Sequence, residues 1–398
     1  MRVLLVTDWP AAEGGVETYL DQVAAGLRGR GHAVCLLASD AGRGRDVADV
    51  VARAPRHVLD RAVLQVANPF ARAAAGRAVA EFRPDVALVT MFEMCLSPSV
   101  VTGLRTVPYV VNVAYYKPIC PTGLKLLPDG RACTHGAGRV CRRTGCVPLG
   151  DGAREWLRYR RIGGVVGRAA AVVTCSAWMR DVLAASGIDA AWSPWPVQPG
   201  GARSARRPAP EPVVAVVGRL AAEKGVGDLL RAVAILSTRG RTVRVVVLGD
   251  GPERDRLQAL SRDLGVAGQV AWRGHVERAT LDEELSGAWA LVAPARWAEP
   301  LGLGVIEAIV RGLPVVASAL GGHRETVEDG VTGLLYPNGD VDALAGCLER
   351  VADGSAFRHA RVPGEAAARL ARRHSPGAHL RWLEGVLGDA AGTGGQER

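Results

Sequence analysis

Glu299 and Glu307 stand eight residues apart in EPLGLGVIEAIVRGLPVVAS, directly after an apolar run that reaches Pro294. Gly302 and Gly304 punctuate the stretch between them, and a helical pattern of apolar residues starts at about Gly304. The first turn of a helix offers backbone N–H groups that have no intrahelical partner, and these attract anions. A carboxylate one turn in, Glu307, is placed to accept hydrogen bonds from a sugar diol. Standing alone, such a pair is more often a cap and a solvated helix residue.

The pair does not stand alone. Upstream, VVAVVGRLAAEKGVGDLLRA reads as strand, loop and helix, with Arg219 and Lys224 five residues apart in the loop. A guanidinium fork and an ammonium at one strand exit can clamp a diphosphate. In open α/β sheets ligands bind at the carboxyl ends of strands, where both cations fall. The segments VVVLGDGPE and VAWRGHV add loops at the same edge. Near the amino end, Gly14 and Gly15 directly precede a helical pattern. Glycines there let backbone N–H groups approach a phosphate, and they equally make a plain tight turn.

The elements that must position these residues alternate. Arg2–Thr7 is a continuous apolar run, followed by Val16, Tyr19, Leu20, Val23 and Leu27 at helical spacing, closing at Gly29 and Gly31. Further strands are expected at Ala33–Ser39, Val86–Thr90, Tyr109–Val113 and Ala170–Ser176. Ser193–Pro212 holds six prolines and little periodicity, which marks an interdomain linker. The rhythm restarts with Val213–Gly218, Val243–Gly249, Val270–Trp272, Trp289–Ala295 and Leu313–Ala319. A helical segment, Pro376–Leu387, and a polar, glycine-rich tail end the chain. The fold class expected is α/β, with two Rossmann-like, doubly wound domains over residues 1–197 and 198–375 and a terminal helix and tail over 376–398.

The chain of 398 residues is too long for a single core, and 48% hydrophobic with 22% charged residues is a soluble, globular composition. No apolar run reaches the ~18 residues of a membrane span. MRVLLVT leaves no room for a secretory signal, so a cytoplasmic location is expected. The net charge of +9 implies an anionic partner: a nucleotide diphosphate, a membrane surface or a nucleic acid. Aromatic residues make up 5%, and no nucleic-acid-binding motif is present, which argues against the last. No G-x-G-x-x-G follows either opening strand and there is no G-x-x-x-x-G-K-[ST], which disfavours nicotinamide enzymes and phosphate-loop ATPases.

Four of the eight cysteines, Cys120, Cys133, Cys141 and Cys146, lie in a loop over 115–150 rich in glycine and arginine. Thiolates gathered in a small irregular segment suggest a tetrahedral metal site, structural zinc by ligand type. The spacing lacks a C-x2-C knuckle, and two disulfides or free thiols also fit. REWLRYRRIGGVVGR, Arg154–Arg168, reads as a solvated helix face, or as a contact with an anionic membrane if the acceptor is lipid-linked.

In GGVETYL, VVGRLAAEKGV, LGDGPE, the E-x7-E block with GLPVVAS, and GGHRETVEDGVTGLLYP, the chain resembles the retaining glycosyltransferases of family 4 over roughly residues 1–390. The resemblance implies the GT-B architecture, two Rossmann-like domains facing a cleft. It implies that Gly14 and Gly15 face a donor diphosphate and that Arg219 and Lys224 neutralise it. Glu299, with the N–H groups of Leu301, Gly302 and Leu303, would hold the donor sugar and its phosphates. Glu307 would bind the ribose hydroxyls, and Arg273 to Val276 would line the base. Arg219, Lys224 and Glu299 would serve catalysis, and the last helix would cross back onto the N-terminal domain. The donor implied is a nucleoside-diphosphate sugar and the acceptor a small molecule, a saccharide or a lipid-linked group, with transfer retaining the anomeric configuration. No cofactor is implied for catalysis, because cationic side chains and helix starts stabilise the leaving diphosphate.

The chain departs from that pattern at one strand exit. In VVNVAYYKPICP, Ala114 stands where similar enzymes have a histidine near the anomeric centre, and in LVTMFEMCLSP Thr90 and Phe92 replace other histidines. This edge is therefore expected to be more apolar than usual. The alternatives to a transferase are a catalytically silent nucleotide-sugar binder, a nucleic-acid-binding protein suggested by charge alone, and a phosphorylase, for which no distinct pattern is present.

Overall fold

Val3 to Val6, Val86 to Val89 and Tyr109 to Val113 are apolar at almost every position and buried without alternation. Such runs suit strands covered on both faces, which is the condition of a parallel sheet. A computed structural model of the chain describes residues 1–10, 14–41, 47–147, 150, 152–197 and 207–392. Two compact units emerge: Met1–Pro128, Thr134–Pro196 and His374–Arg398 form the first, Asp129–Cys133 and Val197–Arg373 the second.

The first unit is built on strands β1 (Arg2–Thr7), β2 (Ala33–Ser39), β3 (Val50–Ala52), β4 (Val86–Val89), β5 (Tyr109–Val113), β6 (Ala171–Thr174) and β7 (Ala191–Trp192). They pair in the order β3-β2-β1-β4-β5-β6-β7, all parallel. The second unit has β8 (Val213–Val217), β9 (Arg244–Leu248), β10 (Val270–Gly274), β11 (Ala290–Ala293), β12 (Val315–Ser318) and β13 (Gly333–Tyr336). Their order is β10-β9-β8-β11-β12-β13, again all parallel. In both sheets the winding reverses beside the first strand, between β1 and β4 and between β8 and β11. That reversal opens a crevice at the strand ends, where such sheets bind ligands. The fold is thus two Rossmann-like α/β units.

Helices cover the sheets with one apolar stripe each. In Gly15–Gly29 the buried positions include Tyr19, Leu20, Val23 and Leu27, four of the five read from helical spacing; the fifth, Val16, is half-buried. In Val226–Thr238, Leu229, Leu230, Val233 and Leu236 pack on Val214, Val245 and Val247 of β8 and β9. β3, β7 and β13 were not expected; they hold three, two and four residues. Of Ser193–Pro212, residues 198–206 lie outside the described residues, as do residues 393–398 of the tail. Among the described residues no helix is long and apolar enough to cross a membrane.

The helix Pro376–Ala390 belongs to the first unit, packed on Gly15–Gly29. The point where the chain leaves this unit and the point where it returns are tied to the same helix. His374 Nδ1 lies 2.7 Å from the Trp195 carbonyl oxygen, and the Trp195 indole stacks on Tyr19 with centroids 3.9 Å apart. The His379 ring spans the Tyr19 hydroxyl, at 3.1 Å, and the Ser193 hydroxyl, at 3.2 Å. Burial pushes the His379 imidazole down to about 4, so it is neutral at neutral pH.

Candidate functional site

The carboxyl edge of the second sheet collects the charged residues singled out by their spacing. From β8 the chain runs through Gly218 and Arg219 into a single turn, Ala222–Lys224, then enters the helix Val226–Thr238 at Gly225. Gly225 has φ of 67°, and a Cβ there would fall 1.9 Å from the carbonyl oxygen of Pro294, just past β11. Only glycine allows the two strand-end loops to come that close. Arg296 locks them further, with a bidentate pair to the buried Asp228 at 2.7 and 2.5 Å, while its backbone N–H donates to the Glu223 carbonyl at 2.9 Å.

These contacts bring Lys224 onto Glu299. The ammonium donates to both carboxylate oxygens, at 3.1 and 2.9 Å, and the Trp297 indole N–H donates to Oε2 at 2.7 Å. Lys224 also lies 5.2 Å from the centre of the Trp297 ring. Burial works to raise the Glu299 carboxyl, but Lys224, His323 and these hydrogen bonds prevail and hold it below the usual carboxylate range. The His323 imidazole, 2% exposed, is lowered by burial against the pull of Glu299 and bonds to the Ser318 carbonyl at 3.3 Å. Arg219 is largely exposed and pairs with the buried Glu223 at 2.7 Å. The two cations expected to clamp a diphosphate are therefore each held by a carboxylate.

The helix after β11 runs over Leu303–Val310, one residue earlier than expected, and is capped by Gly302 at φ 81°. A Cβ on Gly302 would lie 2.9 Å from the His323 ring, so a side chain is excluded by both backbone and space. Val305 and Ile306 are the first to bond back, to Gly302 O at 2.9 and 3.2 Å, leaving the N–H groups of Leu303 and Gly304 outside the helical ladder. Leu301 is buried ahead of the cap. Glu307 is buried rather than solvated, and Arg311 approaches its Oε2 at 3.8 Å. Arg273 and Val276 line a cavity of about 460 Å³ beside β10, together with His275, Glu277, Glu283 and Glu284, and Arg273 lies 3.5 Å from Glu284.

In the first unit, Gly14 and Gly15 open the helix Gly15–Gly29, as their spacing suggested. The Glu17 carboxylate lies against Gly14, so an anionic group already faces that helix start. Ala114 follows β5, Thr90 turns its hydroxyl to the Val6 carbonyl at 3.1 Å, and Phe92 is fully buried. The expectation of an apolar edge is nevertheless corrected by two neighbours. Glu93, 1% exposed, accepts a hydrogen bond from the Tyr115 hydroxyl, and Asp8 accepts the N–H groups of Met94, Cys95 and Leu96 at 2.7, 2.9 and 2.7 Å. Arg158 ties the helix Gly152–Val166 to this loop through the Glu93 carbonyl at 2.9 Å.

Among the described residues no three His, Cys, Asp or Glu side chains are placed to hold a metal, and all eight cysteines are unbridged. Cys133 falls in the segment Asp129–Cys133 that clusters with the second unit, whereas Cys120, Cys141 and Cys146 belong to the first. Cys120 bonds to the Thr122 hydroxyl at 3.3 Å and Cys146 to that of Thr144 at 3.3 Å.

Trp297, His323, Glu93 and Tyr115 were not anticipated. Trp297 and His323 stand within or beside the quoted motifs, yet nothing in their spacing reveals that they converge on Glu299.

The fold is one of two Rossmann-like α/β units, and each unit matches a glycosyltransferase domain family. Residues 14–192 match the glycosyl transferase 4-like domain family, and residues 202–369 match glycosyl transferases group 1. An α-D-kanosaminyltransferase from Streptomyces kanamyceticus is 34% identical over 44% of this chain and 45% of its own length. A GDP-mannose-dependent α-(1-6)-phosphatidylinositol monomannoside mannosyltransferase from Mycobacterium tuberculosis is 28% identical over 86% of this chain and 87% of its own. The matched region spans under half the length of several other curated relatives, including a glycogen synthase from the same species at 47%. Among solved structures, a sucrose-phosphate synthase from Thermosynechococcus elongatus superposes with a TM-score of 0.75 at 22% identity, covering 96% of this chain and 97% of that one. An Anabaena protein, Alr3699/HepE, solved with UDP and glucose, superposes with a TM-score of 0.70 at 18% identity, covering 97% and 99%.

Proposed function

We propose that the protein transfers a sugar from a nucleoside diphosphate to an acceptor with retention at the anomeric carbon, the second unit holding the donor. The observation that carries this reading is the Lys224–Glu299 pair at the strand-end edge, next to the free amides of the helix Leu303–Val310. A diphosphate arriving there replaces one of the two carboxylates around Lys224 and Arg219. It releases Glu299 to accept hydrogen bonds from the sugar hydroxyls. The leaving diphosphate is then stabilised by Lys224, Arg219 and the N–H groups of Leu301, Gly302 and Leu303, without a metal in the step. Glu307 accepts from the ribose, and the cavity at Arg273 and Val276 takes the base. The domain families and the transferases among the relatives support this reading.

The test is a thermal-shift panel with UDP, GDP, ADP and dTDP, followed by donor turnover with the nucleotide that binds. A ligand at ~100 times its dissociation constant adds about 2.7 kcal/mol, several degrees of melting temperature. No shift with any of the four removes the donor assignment. Ala114 favours a second reading, a sugar-nucleotide binder without turnover: binding with no nucleotide release in the presence of acceptors would establish it.

A further inference from the structure

The positive charge of this chain is concentrated. Residues 134–168 contain eight arginines against Asp151 and Glu155, a net +6 within a chain of net +9. The longest element of the segment is the helix Gly152–Val166, which buries one face through Arg158, Ile162, Val165 and Val166. Glu155, the one acidic residue of that helix, is taken by Arg158 at 2.7 Å and Arg154 at 3.5 Å. Trp156 and Leu157, at 40% and 48% exposure, are among the most exposed large apolar side chains of the described residues. Arg160 and Arg161, one turn on, are exposed beside them. Tyr159 sits 5.2 Å from the Trp156 ring.

We propose that this face, Trp156 and Leu157 flanked by Arg160 and Arg161, docks the protein on a lipid bilayer with anionic headgroups. An indole and a leucine side by side on a helix lie at the depth of the headgroup and acyl boundary, and guanidinium groups at the rim meet phosphates. A solvated helix face needs neither apolar side chain. A polyanion such as a nucleic acid would use the arginines but leave Trp156 and Leu157 in water. The inference is independent of the donor assignment, since it concerns the opposite unit and no turnover.

The experiment is co-sedimentation of the full chain with vesicles of phosphatidylcholine alone and of phosphatidylcholine with phosphatidylglycerol, at low and high salt. The protein should bind the anionic vesicles, leave the neutral ones, and lose binding as salt screens the charge. The double variant Arg160→Glu, Arg161→Glu should weaken binding by at least about tenfold, since each cation near an anionic surface counts severalfold. Trp156→Ser should weaken it by roughly tenfold as well, by loss of the interfacial ring. Val63→Ser removes a comparably exposed apolar residue outside this face, 63% exposed, and should change nothing. Equal binding to both vesicle types overturns the proposal. So does binding that survives Trp156→Ser but falls with the arginine reversals, which would assign the surface to a polyanion. All these substitutions are at exposed positions, and circular dichroism of each variant verifies that the fold is kept.

Discussion

Lys224 and Glu299, 75 residues apart in the chain, meet with the ammonium 2.9 Å from one carboxylate oxygen and 3.1 Å from the other. The meeting is not local chemistry. It follows from Gly225 passing against Pro294 and from the Asp228–Arg296 pair, which together fix two strand-end loops. The first prediction follows from it. Lys224→Met leaves the Glu299 carboxylate, 17% exposed, with the Trp297 N–H but without its cation. Partner removal from a fully buried pair costs 3–5 kcal/mol, and the partial exposure of Lys224 reduces this to about 1–3. The folded carboxyl of Glu299 is lowered, so the stabilisation is present above the ordinary carboxylate value of 4.5 and is lost as pH falls through the folded value. Urea unfolding should show the variant weaker at pH 7 and converging on the parent in acid. A constant difference across that range would detach Glu299 from Lys224.

Glu307→Ala should weaken binding of the active nucleotide by roughly tenfold to a hundredfold, the value of hydrogen bonds from ribose hydroxyls to a charged acceptor. Glu328→Ala is the control: Glu328 is exposed and pairs with Arg369 at 2.6 Å. Isothermal titration decides, and equal affinities for the two variants would take Glu307 out of the site. Because Arg311 approaches Glu307 at 3.8 Å, melting temperature should be followed alongside.

The sequence was informative wherever function or fold leaves a periodic or local trace. Apolar runs marked ten of the strands, because strands covered largely on both faces carry few polar positions, Asn112 in β5 among them. The E-x7-E spacing marked the helix Leu303–Val310 because strand exit, glycine and helix start are consecutive in the chain. What the sequence hid depends on which loops meet. The segment before His323 meets Glu299 only because β12 lies beside β11, with the Gly322 N–H donating to the Glu299 carbonyl at 2.7 Å, and Glu93 meets Tyr115 only because β5 lies beside β4. The clustering of the four cysteines was read from nearness in sequence, but a segment as short as Asp129–Cys133 can pack elsewhere. β3 and β7, with three and two residues, are too short to show any period.

His379 should make the first unit sensitive to acid. Its folded value is about 4 against 6.5 for a free imidazole, through burial above all. A base depressed in the folded state contributes stability above its unfolded value and loses it as the unfolded chain takes up the proton. The loss therefore runs from pH 6.5 down to about 4 and amounts to about 3 kcal/mol. His379→Gln can keep hydrogen bonds to Tyr19 and Ser193 without titrating. Melting temperature against pH should fall more steeply for the parent than for the variant in this window, and parallel curves would refute the assignment.

Glu93 should act at the other end of the pH scale. Burial first, and then the neighbouring Asp8, raise its carboxyl from 4.5 to about 8, against the opposing hydrogen bonds from Tyr115 and the Phe92 N–H. The charged groups around it are Asp8 at the end of β1, Lys117 beyond Tyr115, and Arg158 with Glu155 on the helix Gly152–Val166. An acid raised in the folded state contributes stability that is complete below its unfolded value. That contribution is lost as pH rises through the folded value, here between about 4.5 and 8. The loss is at most about 5 kcal/mol at 1.36 kcal/mol per unit. Asp8 is also raised, so the parent curve alone does not isolate Glu93. The difference between the parent and Glu93→Gln does, because the amide keeps a carbonyl oxygen for the Tyr115 hydroxyl and cannot ionise. Denaturant unfolding should find the two proteins similar at pH 5 and the variant the more stable at pH 8.5. If the variant instead stays below the parent by the same margin at both pH values, Glu93 is already ionised in the folded protein, and the Tyr115 hydroxyl bonds to a carboxylate throughout.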